Sequence, residues 1–160
     1  MLVAVISDTH MAGGRRRLPD VCVSAIEGAD LLIHAGDVMS AEALAEIEAI
    51  GPPLVAVAGN MDPPALGLPP TAAVDTPGGR ILVIHDAGPA SGRLARLRRL
   101  YPEAAAVVFG HSHIPLHERD GGFQIFNPGS PTERRRSPRH TMGLARISPG
   151  TIGFELVDLD

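Results

Sequence analysis

Residues 1–10 read MLVAVISDTH, an aliphatic run from Leu2 to Ile6 that stops abruptly at Ser7-Asp8-Thr9-His10. The run is too short for a helix and rich in β-branched side chains, so it predicts a strand buried on both faces. Working outward, Leu31 to Ala35 and Leu54 to Ala58 are runs of the same kind. Between the first two, Leu18, Val21, Cys22, Ala25 and Ile26 recur at helical spacing, with Pro19 early and Gly28 at the end, which predicts a helix over 18–28. A second helix over 40–50 opens on Ser40, a residue that caps helix N-termini, and is stopped by Gly51-Pro52-Pro53. Glu42 falls one position short of a capping box, so the cap alone is expected. Strand, helix, strand, helix, strand in this order predicts parallel pairing in an α/β domain.

Past residue 60 the rhythm changes. Met61 to Pro70 reads as a Pro-rich loop, and Ala72–Asp75 and Arg80–Ile84 form a hairpin across Thr76-Pro77-Gly78-Gly79. A basic helix over 91–101 carries Leu94, Leu97 and Leu100 on one side, and Ala105 to Phe109 is another buried strand. Phe123–Phe126, Met142–Ile147 and Ile152–Val157 read as antiparallel strands, the last two joined at Pro149-Gly150. Parallel strands followed by antiparallel ones predict a mixed-sheet α/β fold, and the absence of repeats or linker-like stretches predicts a single domain over 1–160.

The composition suits this. A chain of 160 residues with 44% hydrophobic content can bury a real core, which must be mostly aliphatic because there is no Trp, one Tyr and only four Phe. The formal net charge of -4 gives no general attraction for nucleic acid or an anionic membrane. Arg15-Arg16-Arg17 and Arg134-Arg135-Arg136 read as solvated faces, since aromatic stacking platforms are scarce and no stable nucleic-acid complex is expected. The first of these runs follows Asp8-x-His10 closely enough to border the mouth of a site there and steer anionic substrates. The single cysteine, Cys22, allows no internal disulfide or thiolate cluster and suits a reducing compartment. The charge at Asp8 comes too early for a signal peptide, and no apolar run approaches the ~20 residues a membrane span needs, so a cytoplasmic protein is expected.

The polar residues that could bind a metal all fall just after apolar runs. Asp8 and His10 follow the first, Asp37 the second, Asn60 the third, His85 the run ending at Ile84, and His111 and His113 the run ending at Phe109. In open α/β sheets that edge is where ligand sites form. Residues i and i+2 of extended backbone project to one side, so Asp8 with His10, and His111 with His113, are each expected to point into one cavity. Gly36, Gly59 and Gly110 are expected to let the chain turn sharply there. A set mixing carboxylates, an amide oxygen and imidazoles is larger than one tetrahedral ion accepts and suits two divalent metals sharing a bridge, for which Asp37 is the candidate. Without thiolates it favours manganese, iron, zinc, nickel or magnesium. Two divalent cations against Asp8 and Asp37 leave about +2, enough to attract a phosphate to an otherwise negative protein. His34 reads as a packed histidine inside a strand, and His117 and His140 as solvated loop residues. Asp62 lies beside the site and either holds its loop or takes part in the chemistry.

Asp8-x-His10, Gly36-Asp37, Gly59-Asn60-x-Asp62, His85 and Gly110-His111-x-His113, in that order, resemble the calcineurin-like metallophosphoesterases, most closely their small single-domain phosphodiesterases of bacteria and archaea. The resemblance runs on through Asn127-Pro128-Gly129-Ser130, a tight turn expected to support the histidine loop. It implies a two-sheet mixed β-sandwich flanked by helices, in four α/β/β/α layers. It also implies one metal held by Asp8, His10, Asp37 and His113 and a second by Asp37, Asn60, His85 and His111, manganese being the first expectation. A hydroxide bridging the metals would attack phosphorus in line with the leaving group. In two places the chain departs from the family pattern. Met61 stands where many phosphomonoesterases of the superfamily carry a histidine, so leaving-group protonation falls to water, His10 or Asp62, and good leaving groups such as diesters are favoured. His85-Asp86-Ala87 stands where the subgroup reads His-Gly-His, which leaves the second histidine's role without a holder.

The expected activity is therefore hydrolysis of a small phosphodiester or nucleotide-like substrate, with a homo-oligomer possible because members of such subgroups self-associate. The alternatives are a phosphomonoesterase or nucleotidase, against which Met61 argues, and a low-activity scaffold resembling the retromer subunit, which has lost several ligands that this chain keeps.

Overall fold

A computed structural model describes residues 1–160, and its first half follows the alternation read from the sequence. Strands β1 (Leu2–Ile6), β2 (Leu31–His34) and β3 (Leu54–Ala56) pair in parallel, with Val3 opposite Leu31 and Ile33 opposite Val55. Helices α1 (Asp20–Glu27) and α2 (Ala41–Glu48) make the crossovers. Helix α2 begins as its residues dictate: Ser40 is extended and its Oγ accepts the Ala43 N–H at 3.1 Å. Helix α1 has no side-chain cap and starts behind Pro19, whose fixed φ already suits a helix entrance.

The remaining strands complete two sheets. With β4 (Thr71–Thr76), β5 (Gly79–Ile84), β6 (Ala106–Val108), β7 (Leu116–Asp120), β8 (Phe123–Asn127), β9 (Thr141–Ser148) and β10 (Thr151–Asp158), the orders are β10-β9-β1-β2-β3 and β4-β5-β6-β8-β7. Helix α3 (Arg93–Leu100) connects β5 to the parallel β6. Two expectations need correction. Strand β8 pairs in parallel with β6 and is antiparallel only to β7. Strand β7 itself was not foreseen: Leu-His-Glu-Arg-Asp has no apolar alternation because it is an edge strand, exposed along most of its length, and charged side chains suit such an edge. His117 consequently sits on a strand, with its Nε2 2.9 Å from Gln124 Oε1, and His140 is tied to Asp160 at 2.7 Å.

The side-chain alternation of each strand decides the layering. Val3, Val5, Ile33, Ile81, Val83, Val108 and Phe126 meet between the sheets. Their neighbours Ala4, Ile6 and Leu32 face outward onto Cys22 and Ile26 of α1 and Ala43 and Ile47 of α2. On the other side, Leu82, Val107 and Ile125 pack against Leu97 of α3. The result is four layers, α/β/β/α, with β1, β2 and β6 covered on both faces, which is why their sequences are continuous apolar runs.

The sheets approach closely where β9 crosses Phe126. A Cβ added at Gly143 would overlap the Phe126 ring, and Val5 Cβ would lie only 3.4 Å away. Gly143→Ala is therefore expected to lose about 1–3 kcal/mol through overpacking. Urea denaturation checks this, and a wild-type midpoint would contradict it.

Candidate metal centre

Each candidate ligand leaves the end of a strand: Asp8 and His10 after β1, Asp37 after β2, Asn60 after β3, His85 after β5, and His111 and His113 after β6. The pairing of i with i+2 does not arise from extended backbone, as the spacing suggested. Asp8 (φ 56°), His10 (45°), Asp37 (62°), His111 (67°) and His113 (60°) are all left-handed. The chain has already left the ladder at these points, and tight loops, not a pleat, aim the side chains inward. Left-handed backbone at such residues costs on the order of 1–3 kcal/mol each and persists only where the surroundings hold it. Here the loops hold one another. Asp8 N–H donates to Gly36 O at 2.9 Å, His10 N–H to Asp37 O at 3.0 Å, and His111 N–H to Asp8 Oδ2 at 3.0 Å. Close approach, more than turning, explains Gly59 and Gly110, where an added Cβ would collide with Asp37 and with Ser7 and Asp8.

The side chains converge in two adjoining groups. Asp8, His10 and His113 form one set of buried ligand atoms, and Asp8, Asp37 and His85 another, the atoms of each lying within 4.8 Å of one another. Asp37 Oδ2 stands 3.4 Å from both His10 Nε2 and His85 Nε2, and His113 Nε2 is 3.4 Å from Asp8 Oδ1. On the outer side, Asn60 Oδ1 is 3.0 Å from His85 Nε2 and 3.0 Å from His111 Nδ1. Asn60 and His111 are exposed while Asp8, His10 and His113 are buried, so the centre has a closed back and an open front.

The ring orientations are fixed from behind. His85 Nδ1 donates to Ala35 O at 2.7 Å and His113 Nδ1 to Glu133 O, which leaves each Nε2 lone pair facing the cavity. His10 Nε2 and His113 Nε2 are buried and have no hydrogen-bond partner. Burying an unsatisfied polar atom costs about 1–3 kcal/mol, so such nitrogens call for a Lewis acid. The spacing agrees: ligand atoms about 2.1 Å from a tetrahedral ion lie about 3.4 Å apart, too far for a hydrogen bond and right for a shared cation. On these grounds the residues fit divalent metals.

The electrostatics are those of a cation site. Burial pushes the Asp8 carboxyl up to about 7 in the protein alone, only partly opposed by the Ser7 hydroxyl 2.6 Å away. Burial also works against the charge on Asp37, but the neighbouring His85 and the hydrogen bond from the Met61 N–H outweigh it and hold this carboxylate below its ordinary range. Burial lowers His10 and His113, keeping their lone pairs free, whereas in His85 the burial effect is outweighed by Asp37 and Ala35 O. A cation favours deprotonation of the whole set.

Supporting residues surround this core. The Asp62 carboxylate is fully engaged by main-chain donors: Oδ2 accepts Asp37 N–H at 2.9 Å and Gly59 N–H at 2.8 Å, and Oδ1 accepts Met39 N–H at 2.7 Å. Of the two roles its position suggested, this geometry describes the holding of the loop. His34 is buried, 3.0 Å from Thr9 Oγ1, and accepts Gly36 N–H at 3.1 Å; burial lowers it to about 3, so it is a neutral packed histidine. Asn127 donates to Gly110 O at 2.8 Å and Ser130 Oγ to Asp8 O at 2.8 Å, so the Asn-Pro-Gly-Ser turn braces both ligand loops. Arg15 and Arg16 line a hollow of about 370 Å³ with His10 and Met39, next to the candidate ligands.

Two residues close to His10 were missed. Met39 Sδ lies 3.0 Å and Glu133 Oε2 3.5 Å from His10 Nδ1. A sequence signal for Glu133 existed: Ser130-Pro131-Thr132-Glu133 has the Ser-x-x-Glu spacing of a reciprocal cap, and Ser130 Oγ does accept Glu133 N–H at 2.9 Å. Met39 carries no such signal.

Comparison with known proteins bears on the fold and the family. A probable metallophosphoesterase of Methanothermobacter thermautotrophicus is 32% identical over 160 residues, spanning 98% of this chain and 92% of its own. Wild-type Vps29 of Entamoeba histolytica, solved in complex with zinc, shares the fold with a TM-score of 0.80 at 22% identity over 100% of both chains. A structure described as a novel archaeal phosphodiesterase shares it at 0.71 and 18% identity, over 98% of this chain and 100% of its own. Residues 1–150 match the calcineurin-like phosphoesterase superfamily domain, and the chain belongs to that superfamily.

Proposed function

We propose that this protein hydrolyses phosphodiesters at a dinuclear metal centre. The observation that carries the reading is the place of Asp37, whose Oδ2 is equally distant, 3.4 Å, from a histidine of each ligand group. Asp8, His10, Asp37 and His113 would hold one divalent cation, and Asp37, Asn60, His85 and His111 the other. Manganese is the first choice, and the N,O donor set also accepts iron, zinc, nickel or magnesium. Bound there, the cations supply Lewis acidity toward phosphoryl oxygens and lower the pKa of water toward neutrality.

The chain's own residues set the rest. The buried wall of Asp8, His10 and His113 keeps bulk water from the back of the centre, so substrate enters on the side of the exposed Asn60 and His111. Arg15 lines a separate hollow beside His10 and adds positive charge there. The preference for diesters follows from what the site lacks in acids. The Met61 N–H fixes Asp37 Oδ1 at 2.8 Å, but its side chain, 49% exposed, has no proton to give. The Asp62 carboxylate is occupied by loop N–H groups. A leaving group must then depart with little protonation, which favours small phosphodiesters or nucleotide-like esters with stable leaving groups. A phosphodiesterase of the same fold agrees with this assignment. A reducing cytoplasm suits a chain whose single cysteine, Cys22, stays a free thiol.

Metal-stripped protein is expected to take up about two manganese ions per chain and then to hydrolyse an aryl phosphodiester faster than the matching monoester. A clear monoester preference would overturn the substrate assignment. Asp37→Ala should reduce turnover to background while circular dichroism stays native, and full activity would refute its bridging place. Asp62→Asn should weaken metal affinity roughly 10–100-fold with an unshifted pH–rate profile. Loss of one limb of that profile would make Asp62 a proton donor instead.

A further inference from the structure

Both histidines at the closed back of the centre are held by one residue outside the ligand set. The main-chain carbonyl of Glu133 accepts the Nδ1–H of His113, and its side-chain Oε2 lies 3.5 Å from Nδ1 of His10. The other carboxylate oxygen, Oε1, accepts from Arg16 Nη2 at 3.1 Å, and Arg16 Nη1 donates to the His10 carbonyl at 3.2 Å. Glu133 is in turn fixed by Ser130, whose Oγ accepts Glu133 N–H at 2.9 Å and donates to the Asp8 carbonyl at 2.8 Å. Thr132 Oγ1 also donates, to Thr9 O at 2.6 Å, so the 130–133 segment touches the backbone or ring of every ligand at the back of the site except Asp37.

We propose that Glu133 is a positioning residue for the inner metal, selecting the tautomer of His10 with its carboxylate and that of His113 with its carbonyl, and that Arg16 holds the carboxylate in place. This rests on the dinuclear reading above. The physical reason is the polarity of the two contacts. A carboxylate or carbonyl oxygen attracts N–H and repels a bare nitrogen lone pair, so each forces the proton onto Nδ1 and the lone pair onto Nε2. Those Nε2 atoms are the buried, unpartnered nitrogens that face the cavity. Met39 Sδ is nearer to His10 Nδ1 at 3.0 Å, but a thioether is a weak acceptor and carries no charge. Glu133 therefore supplies the negative charge on that side, acting at 3.5 Å through its field and not through a hydrogen bond. Partners of this kind behind a metal-binding histidine raise its basicity and fix its ring. The arrangement also gives Arg16 a structural task inside the basic run.

The test is calorimetric titration of the metal-stripped full-length protein with manganese, comparing wild type with Glu133→Ala, Glu133→Gln and Arg16→Met. Glu133→Ala keeps the carbonyl to His113 and removes only the support of His10. One of the two binding events should weaken roughly 10–100-fold while the other stays at its wild-type affinity. Glu133→Gln retains an oxygen but not the charge and should recover only part of the loss. Arg16→Met, which frees the carboxylate without removing it, should weaken the same event to a smaller degree. Wild-type affinity for both events in Glu133→Ala overturns the proposal, and so does an equal loss of both with a lowered melting temperature, which would mark a merely structural residue. A wild-type protein that takes up no metal would sink the dinuclear reading itself, whereas two normal events in every variant would sink only the role of Glu133.

Discussion

Nitrogen lone pairs buried with nothing to bond to are the constraint around which this molecule is arranged. His10 Nε2 and His113 Nε2 are shut from water at the closed back of the centre and face carboxylates at a spacing too wide for a hydrogen bond. Nothing in the protein satisfies them, and the carboxyl of Asp8 is pushed by burial toward neutrality in the same place. Polar groups are tolerated there only if something more electropositive than a proton shares them. The fold is the apparatus that holds these groups in place. Its two sheets bring strand ends from both layers to one edge, and bracing contacts from Asp62, Ser130, Asn127 and Glu133 keep loops in backbone conformations they would otherwise leave.

The same arrangement reconciles a negative chain with an anionic substrate. The net charge of -4 says nothing of the site, because the field that matters is local. Within the centre, four imidazoles, uncharged when they ligate a metal, accompany two carboxylates, so two divalent ions would leave it positive. Some of the arginines that looked like a solvated face have definite partners: Arg16 on Glu133 and the His10 carbonyl, Arg134 on the Ser137 and Pro138 carbonyls.

What could be read from the sequence follows from burial. Leu2–Ile6, Leu31–His34 and Ala106–Val108 are covered on both faces, so their apolar runs are unbroken and their strands legible. The candidate ligand residues stood out because each interrupts such a run at its end. Strand β7 was hidden because an edge strand needs no apolar face, and the parallel pairing of β8 because β7 enters the sheet beyond it, leaving its inner edge to β6. The left-handed backbone at Asp8, His10, Asp37, His111 and His113 was not read because Asp and His, though enriched in that region, adopt it only in a minority of cases; hydrogen bonds among distant loops impose it. Glu133 escaped for a related reason: its contacts to His10 and His113 span the length of the chain and leave only the short Ser-x-x-Glu spacing as a local trace.

The central claim, that side chains from several strand ends share a pair of cations across Asp37, is tested most directly by anomalous diffraction from a crystal of this protein grown with manganese. Two peaks are predicted, one on each side of the Asp37 carboxylate, the inner among Asp8, His10 and His113 and the outer among Asn60, His85 and His111. A single peak, or none with Asn60 and His111 turned to solvent, would contradict the account.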